Sequence, residues 1–172
     1  MKDISRVLGI DPGLERTGWA IAEKKENSKT ALIASGLIET SSTLSLQERL
    51  DKIYCEIKTL AEKYSPSQAA VEEIYFSKKA VSQRSTTYAR GVIILALHRA
   101  KIPLSEYNPR TVKSFVSGNG NADKNQMTKA VSLIFSLKEP LTPDDVSDAA
   151  AIAFVHLRNS GFAALIEKGK KG

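Results

Sequence analysis

The apolar run Val7-Leu8-Gly9-Ile10 stops on a single carboxylate, Asp11, and Pro12-Gly13 then turns the chain toward a second apolar run, Gly18-Trp19-Ala20-Ile21-Ala22. Two short apolar segments around a tight turn predict a β-hairpin. Aspartate is a poor strand residue, and a carboxylate at the rim of a buried strand is costly unless a cation meets it. One reading of Asp11 is a metal or phosphate site at the strand's end. The other is an aspartate that hydrogen-bonds the backbone of its own Pro12-Gly13 turn. This stretch alone leaves both open.

The elements that follow define an α/β chain. Thr30 to Glu39 reads as a third strand after a polar turn, giving an antiparallel meander. Ser45-Leu46-Gln47-Glu48 has capping-box spacing, and Leu46, Leu50, Ile53, Tyr54, Ile57, Leu60, Ala61 and Tyr64 recur at helical spacing behind it. Ser65-Pro66-Ser67 stops that helix, and Ala69 to Glu73 reads as a fourth strand, expected to pair parallel after the helical crossover. A loop from Ile74 to Lys79 precedes a long helix, Ala80 to Ala100, with Val81, Tyr88, Val92, Leu95, Ala96 and Leu97 mostly on one side. Pro103 to Tyr107 is a fifth strand. Asn108-Pro109 starts a helix to about Val116, and Asp123-x-x-Gln126 caps another to Leu137. Thr142, as cap, and Pro143, at the first helical position, open a last helix that runs to about Asn159.

A length of 172 residues suits one domain with a real core, here residues 1–160, followed by a flexible basic tail over 161–172. The net charge of +6 favours a polyanionic partner such as nucleic acid. The single cysteine, Cys55, excludes an intrachain disulfide and a cysteine-based zinc site, and its helical setting predicts a small buried hydrophobe. No apolar run reaches membrane-spanning length and the N-terminus lacks a signal-peptide core, so the expectation is a soluble cytoplasmic protein with no membrane role.

Four acids stand where apolar structure begins or ends. Asp11 closes strand one, Glu72 closes strand four, and Asp145 and Asp148, three apart, share a face in the first turns of the last helix. If that helix packs near the ends of strands one and four, all four converge. Two unit charges ~4 Å apart cost about 4 kcal/mol at an effective dielectric near 20, a penalty that a divalent cation removes. Mg²⁺ takes oxygen ligands, and two such ions can flank a phosphodiester. Aspartates at helix starts are also common for the macrodipole alone, and Asp144, about a hundred degrees round the helix from the Asp145/Asp148 face, is read that way. Glu72 and Glu73 point to opposite faces of their strand, and spacing does not choose between them. Of the two histidines, His156 reads as a packed core residue and His98 as a charge suited to a helix end; Trp19 reads as a core strand residue.

Leu8-Gly9-Ile10-Asp11-Pro12-Gly13 with Thr17-Gly18, Val71-Glu72-Glu73-Ile74-Tyr75, and Asp145-Val146-Ser147-Asp148-Ala149-Ala150-Ala151-Ile152-Ala153 closely resemble the RuvC-type Holliday junction resolvases over about Val7 to His156. The resemblance implies a ribonuclease H-like fold: a five-stranded mixed sheet, its first three strands antiparallel, flanked by helices. It implies a Mg²⁺-dependent endodeoxyribonuclease, with two ions per site and Mn²⁺ as a substitute. That enzyme would resolve four-way DNA junctions by symmetric paired nicks in recombination and repair, leaving 5′-phosphate and 3′-hydroxyl ends. The catalytic and metal-binding carboxylates would be Asp11, Glu72, Asp145 and Asp148, which selects Glu72 over Glu73. Tyr75, with Phe76 able to share or take its role, would act on bases at the crossover. Lys113 and Lys124 would lie near the scissile phosphate. Beyond the resemblance, Lys78, Lys79, Arg84 and Arg90 are read as phosphate contacts, with a solvated face equally open for them. The partners implied are four-way junction DNA, a second copy in a homodimer, and a junction-binding and branch-migration motor of the RuvA and RuvB type.

Two other classes compete. An actin-like ATPase would use Asp11-Pro12-Gly13 and Gly18 as a phosphate loop, but needs a second such domain that 172 residues cannot hold. A non-catalytic junction binder gains nothing from four acids facing phosphates. A related ribonuclease H-like nuclease on another branched or RNA substrate is the nearest competitor.

Overall fold

The computed structural model describes residues 6–25, 29–73 and 80–169, with the side chains of 80–83 and 160–169 left out. Five strands form one mixed sheet in the order β3-β2-β1-β4-β5. β1 (Arg6–Asp11), β2 (Arg16–Lys24) and β3 (Thr30–Glu39) are the antiparallel meander, with Asp11 opposite Gly18. After α1 (Leu46–Tyr64), β4 (Gln68–Glu72) returns parallel to β1. After α2 (Ala80–Arg99), β5 (Leu104–Tyr107) pairs parallel with β4, with Glu72 opposite Tyr107. β1 is central, which explains why Val7, Leu8 and Ile10 are fully buried and why its sequence is apolar without alternation.

Strand parity sorts the core into two layers. Leu8, Ile10, Ile21 and Ala69 face α1 and α2 through Ile53, Ile57, Ala89, Ile93 and Leu97. Val7, Ala20, Ala22 and Ala70 face the other layer, α3 (Pro109–Ser117), α4 (Lys124–Ile134) and α5 (Asp144–Gly169). Small residues line this second face. A β-carbon on Gly9 would come within 2.1 Å of the Ala149 carbonyl oxygen, and one on Gly18 within 2.0 Å of that of Asp145. Glycine at these two positions lets α5 lie directly on β1 and β2, with its alanine run Ala149-Ala150-Ala151 fully buried.

The expected caps form. Ser45 and Glu48 make a reciprocal capping box, Asp123 and Gln126 another, and Asn108 accepts from the Arg110 amide at 2.9 Å with Pro109 opening α3. Each satisfies amides left free at a helix start.

Several local expectations are corrected. α2 buries Ala89, Ile93, Ala96 and Leu97, whereas Tyr88 and Leu95, placed on the packed side by their spacing, are each 50% exposed. Cys55 is exposed, because it sits about 200° round α1 from the buried Ile53. α4 ends at Ile134 rather than Leu137, with Ser136 in a left-handed conformation. α5 begins at Asp144, after a cis Thr142–Pro143 bond, and continues to Gly169, past the end near Asn159 that the sequence marks. Trp19 is partly buried and packs on Tyr64, ring centroids 6.0 Å apart. His156 is buried as read: Tyr107 Oη lies 2.9 Å from its Nδ1, and its Nε2 contacts Gln68 Oε1. Burial holds its pKa below the ordinary value.

Candidate functional site

Asp11 and Glu72 end adjacent parallel strands, β1 and β4, and parity turns both toward the face covered by α5. Glu72 shares that parity with Ala70, so Glu73 belongs to the opposite one, a choice that spacing alone left open. The start of α5 is fixed above β2 by the Gly18–Asp145 contact, which carries Asp145 and Asp148 to the same rim.

The turn after Asp11 is tied by another residue. Fully buried Thr17 donates its hydroxyl to the Gly13 carbonyl at 2.7 Å, and Thr40 donates to the Leu14 carbonyl at 2.5 Å. The Asp11 carboxyl is pushed up to about 8, first by burial and then by Asp148, Glu72, Asp145 and Asp144. Glu72 is pushed up to about 7 by burial and by Asp148, with Lys113 opposing. Asp148 is raised by burial, Asp144 and Asp145, against the pull of Lys124 and Lys113. Acids distant in sequence thus form one electrostatic unit.

Among the described residues, no three acid, histidine or cysteine side chains are drawn together tightly enough to enclose an ion as they stand. The acids form an open cluster. Asp145 leans toward Arg16, whose Nη2 lies 3.2 Å from its Oδ2, yet that buried oxygen has no hydrogen-bond partner. Asp144 instead pairs with Lys124, which holds its pKa down. An all-oxygen donor set, with a buried carboxylate oxygen that accepts no hydrogen bond, fits a hard divalent cation, which takes such ligands while keeping water and phosphate oxygens in its shell.

A cleft of about 190 Å³ opens beside the cluster, lined by Glu72, Asp148, Lys113 and Lys124 among others. Lys113 is partly buried in α3, and Lys124 stands exposed in the first turn of α4. A larger groove, about 990 Å³, lies at the opposite end of the sheet near Gln68 and Pro103. None of the four acids lines it.

Tyr75, Phe76, Lys78 and Lys79 lie outside the described residues. Arg84 is exposed on α2. Arg90, read as a phosphate contact, is only 8% exposed and is committed to protein partners, the Glu72 carbonyl and Glu106. Sequence reasoning missed Arg16, Thr17 and the inward role of Arg90. For Thr17, its place between Gly13 and Gly18 was the available signal.

The sequence model of the family described as "Crossover junction endodeoxyribonuclease RuvC" matches residues 7–156. A protein of that name from Roseiflexus sp. is 40% identical over 166 residues, covering 96% of this chain and 98% of its own length. Another, from Brachyspira hyodysenteriae, is 46% identical over 149 residues, covering 87% and 91%. Among solved structures, Thermus thermophilus RuvC in complex with a Holliday junction substrate superposes with a TM-score of 0.83 at 29% identity, covering 94% of this chain and 96% of that one. The yeast mitochondrial Holliday junction resolvase Ydc2 shares the fold, with a TM-score of 0.67 at 19% identity, covering 90% and 80%.

Proposed function

The chain belongs to the RuvC family of crossover junction endodeoxyribonucleases, a hydrolase family acting on DNA junctions, and on that premise we propose that Asp11, Glu72, Asp145 and Asp148 are the catalytic carboxylates by which it resolves Holliday junctions. The observation that carries this is the shared rim of β1, β4 and α5: Asp11 lies opposite Gly18, Gly18 packs against the Asp145 carbonyl, and Glu72 and Asp148 line one cleft. The four would hold Mg²⁺, two ions per site, with Mn²⁺ as a substitute. When bound, the metal supplies Lewis-acid stabilisation of the phosphodiester oxygens and a nucleophilic water at neutral pH.

The chain's own residues do the rest. Metal-free, the carboxylates disfavour shared charge, so Asp11 and Glu72 retain protons near neutral pH. These protons are released when cationic charge enters. Lys113 and Lys124, which line the adjoining cleft, would offset negative charge on the phosphate as water attacks phosphorus. The P–O3′ bond breaks, leaving a 5′-phosphate and a 3′-hydroxyl. Tyr75, with Phe76, would stack on crossover bases, and Lys78 and Arg84 would contact phosphates.

The unit that cuts is residues 1–160, with 161–172 a basic end. Paired nicks need two sites related by symmetry, hence a homodimer. The exposed side of α2 supports it: Tyr88 and Leu95 are half-exposed, each about one turn from Gly91, above which a β-carbon would meet nothing within 4 Å. A junction-binding and branch-migration motor of the RuvA and RuvB type would be its partner. No helix among the described residues is long and apolar enough to cross a membrane, and a cytoplasmic location belongs to this reading.

The test is cleavage of a synthetic four-way junction with Mg²⁺ and with a chelator, the cuts mapped and the ends religated. Symmetric, metal-dependent, ligatable nicks are expected. Equal cutting of linear duplex or of an RNA–DNA hybrid, or cutting in chelator, would overturn it.

A further inference from the structure

Arg90 is a cation that the sequence offers as a DNA contact and the structure turns inward. Its guanidinium bridges two strands. Nη1 donates to the main-chain carbonyl of Glu72 at 2.5 Å, and Nη2 meets Glu106 Oε2, on β5, at 2.6 Å. We propose that Arg90 is a positioning residue of the nuclease, holding the peptide that follows Glu72 so that the Glu72 carboxylate is presented to the acid cluster. The proposal rests on Glu72 being one of the site acids.

The β1–β4 ladder pairs Val7 with Gln68 through Ile10 with Val71 and goes no further. Glu72 is therefore the first residue of β4 without a β1 partner, at the point where its carboxylate must be held most tightly. Two contacts take over. The Glu73 amide donates to the Tyr107 carbonyl at 2.8 Å, and the Glu72 carbonyl accepts from Arg90. The peptide plane joining Glu72 and Glu73 is thus gripped at both its N–H and its C=O, which fixes the direction in which the Glu72 side chain leaves the strand. Arg90 comes from α2, on the far face of the sheet from α5. It acts through the main chain rather than by touching substrate. Glu106 compensates its charge, and a planar fork with two donors suits the bridge better than the single ammonium of lysine.

Arg90→Lys, Arg90→Met and Glu106→Gln are compared with the unaltered protein in three measurements: thermal unfolding with and without Mg²⁺, junction affinity in chelator, and single-turnover cleavage against Mg²⁺ concentration. Junction affinity is expected to stay within about threefold for Arg90→Lys, while the Mg²⁺ concentration giving half-maximal cleavage rises about tenfold and the Mg²⁺-induced rise in Tm shrinks. Glu106→Gln, which leaves the carbonyl contact in place, is expected to do less. In a Glu72→Gln background, Arg90→Lys is expected to remove no more of the Mg²⁺-induced rise in Tm, because its effect passes through that carboxylate. A merely structural arginine would give additive losses there. Arg90→Met shows the full deletion where it folds; Arg90→Lys and Glu106→Gln carry the test where it does not. Unchanged Mg²⁺ dependence in Arg90→Lys, or additive losses, would overturn the proposal. Should Glu72→Gln itself cleave normally, the site assignment fails instead, and the two failures are told apart by that one variant.

Discussion

The α-carbon of Gly18, on β2, sits beneath the main-chain carbonyl of Asp145, so close that a β-carbon there would come within 2.0 Å of the oxygen. This contact sets the height of the acidic end of α5 above the sheet. Gly18→Ala must push either β2 down or α5 up, because the β-carbon is fixed to the β2 backbone and the oxygen it meets belongs to the α5 backbone. The expected outcome is a folded protein with a lower Tm, a higher Mg²⁺ requirement, and cleavage slowed about a hundredfold, the usual consequence of a misplacement near 1 Å. Single-turnover assays across a Mg²⁺ titration check it. Wild-type cleavage by Gly18→Ala would separate this contact from catalysis.

The carboxyls of Asp11 and Glu72 are raised to about 8 and about 7 from 3.8 and 4.5. A raised acid contributes stability that is complete below its unfolded value and is lost as pH rises through its folded value. Metal-free protein is therefore expected to lose stability between about pH 4 and pH 8, most steeply between the unfolded and folded values of the two acids and levelling off as pH passes through about 7 and 8. Asp11→Asn should flatten this loss and, at pH 8.5 in chelator, stabilise the protein by roughly 2–4 kcal/mol. Saturating Mg²⁺ should flatten it as well, since an ion that binds only the folded state stabilises it. Urea unfolding at pH 5.5 and 8.5 decides; equal pH dependence in the unaltered and Asp11→Asn proteins would mean that the acids are not coupled.

How much of this the sequence holds depends on the range of the interactions. The capping boxes at Ser45 and Asp123 are complete within four residues, and the hairpin around Pro12-Gly13 within about ten, so both are legible. α2 defeats periodicity because it is apolar on two sides: Leu95 is as hydrophobic as Leu97 and Tyr88 carries a large apolar ring, and only the neighbouring sheet decides which side is buried. Arg90 finds its partners on two other strands, so a long cation in a helix read as a surface residue. Glu72 and Glu73 have equal local claims, and the side of β4 that faces α5 distinguishes them. Gly9 and Gly18 punctuate strands in the sequence, while their use, admitting α5, needs a helix more than 120 residues away.

Asp11→Asn and Glu72→Gln each keep the size of the side chain and remove its negative charge. Both should reduce cleavage below detection while preserving junction binding, with somewhat tighter binding expected because less negative charge faces the phosphates. Gel-shift titrations in chelator and cleavage in Mg²⁺, run on the same preparations, measure the two separately. Full cleavage by both variants would remove the proposed site.

Lys113 and Lys124 share the cleft but differ in environment, so their removal should read differently. Lys124 is exposed, with its ammonium paired to Asp144 in a contact that costs little to break, and Lys124→Ala should leave Tm unchanged. Its effect should fall on the rate: single-turnover cleavage about tenfold or more slower, with junction affinity within about threefold. Lys113 is partly buried and holds down the pKa values of Glu72 and Asp148. Lys113→Ala should let both acids rise further, so the rising limb of the cleavage rate against pH should move to higher pH at subsaturating Mg²⁺, whereas Lys124→Ala, opposing only Asp148 of this pair, should move it less. Identical pH profiles in the two variants would mean that neither lysine acts through the carboxylates.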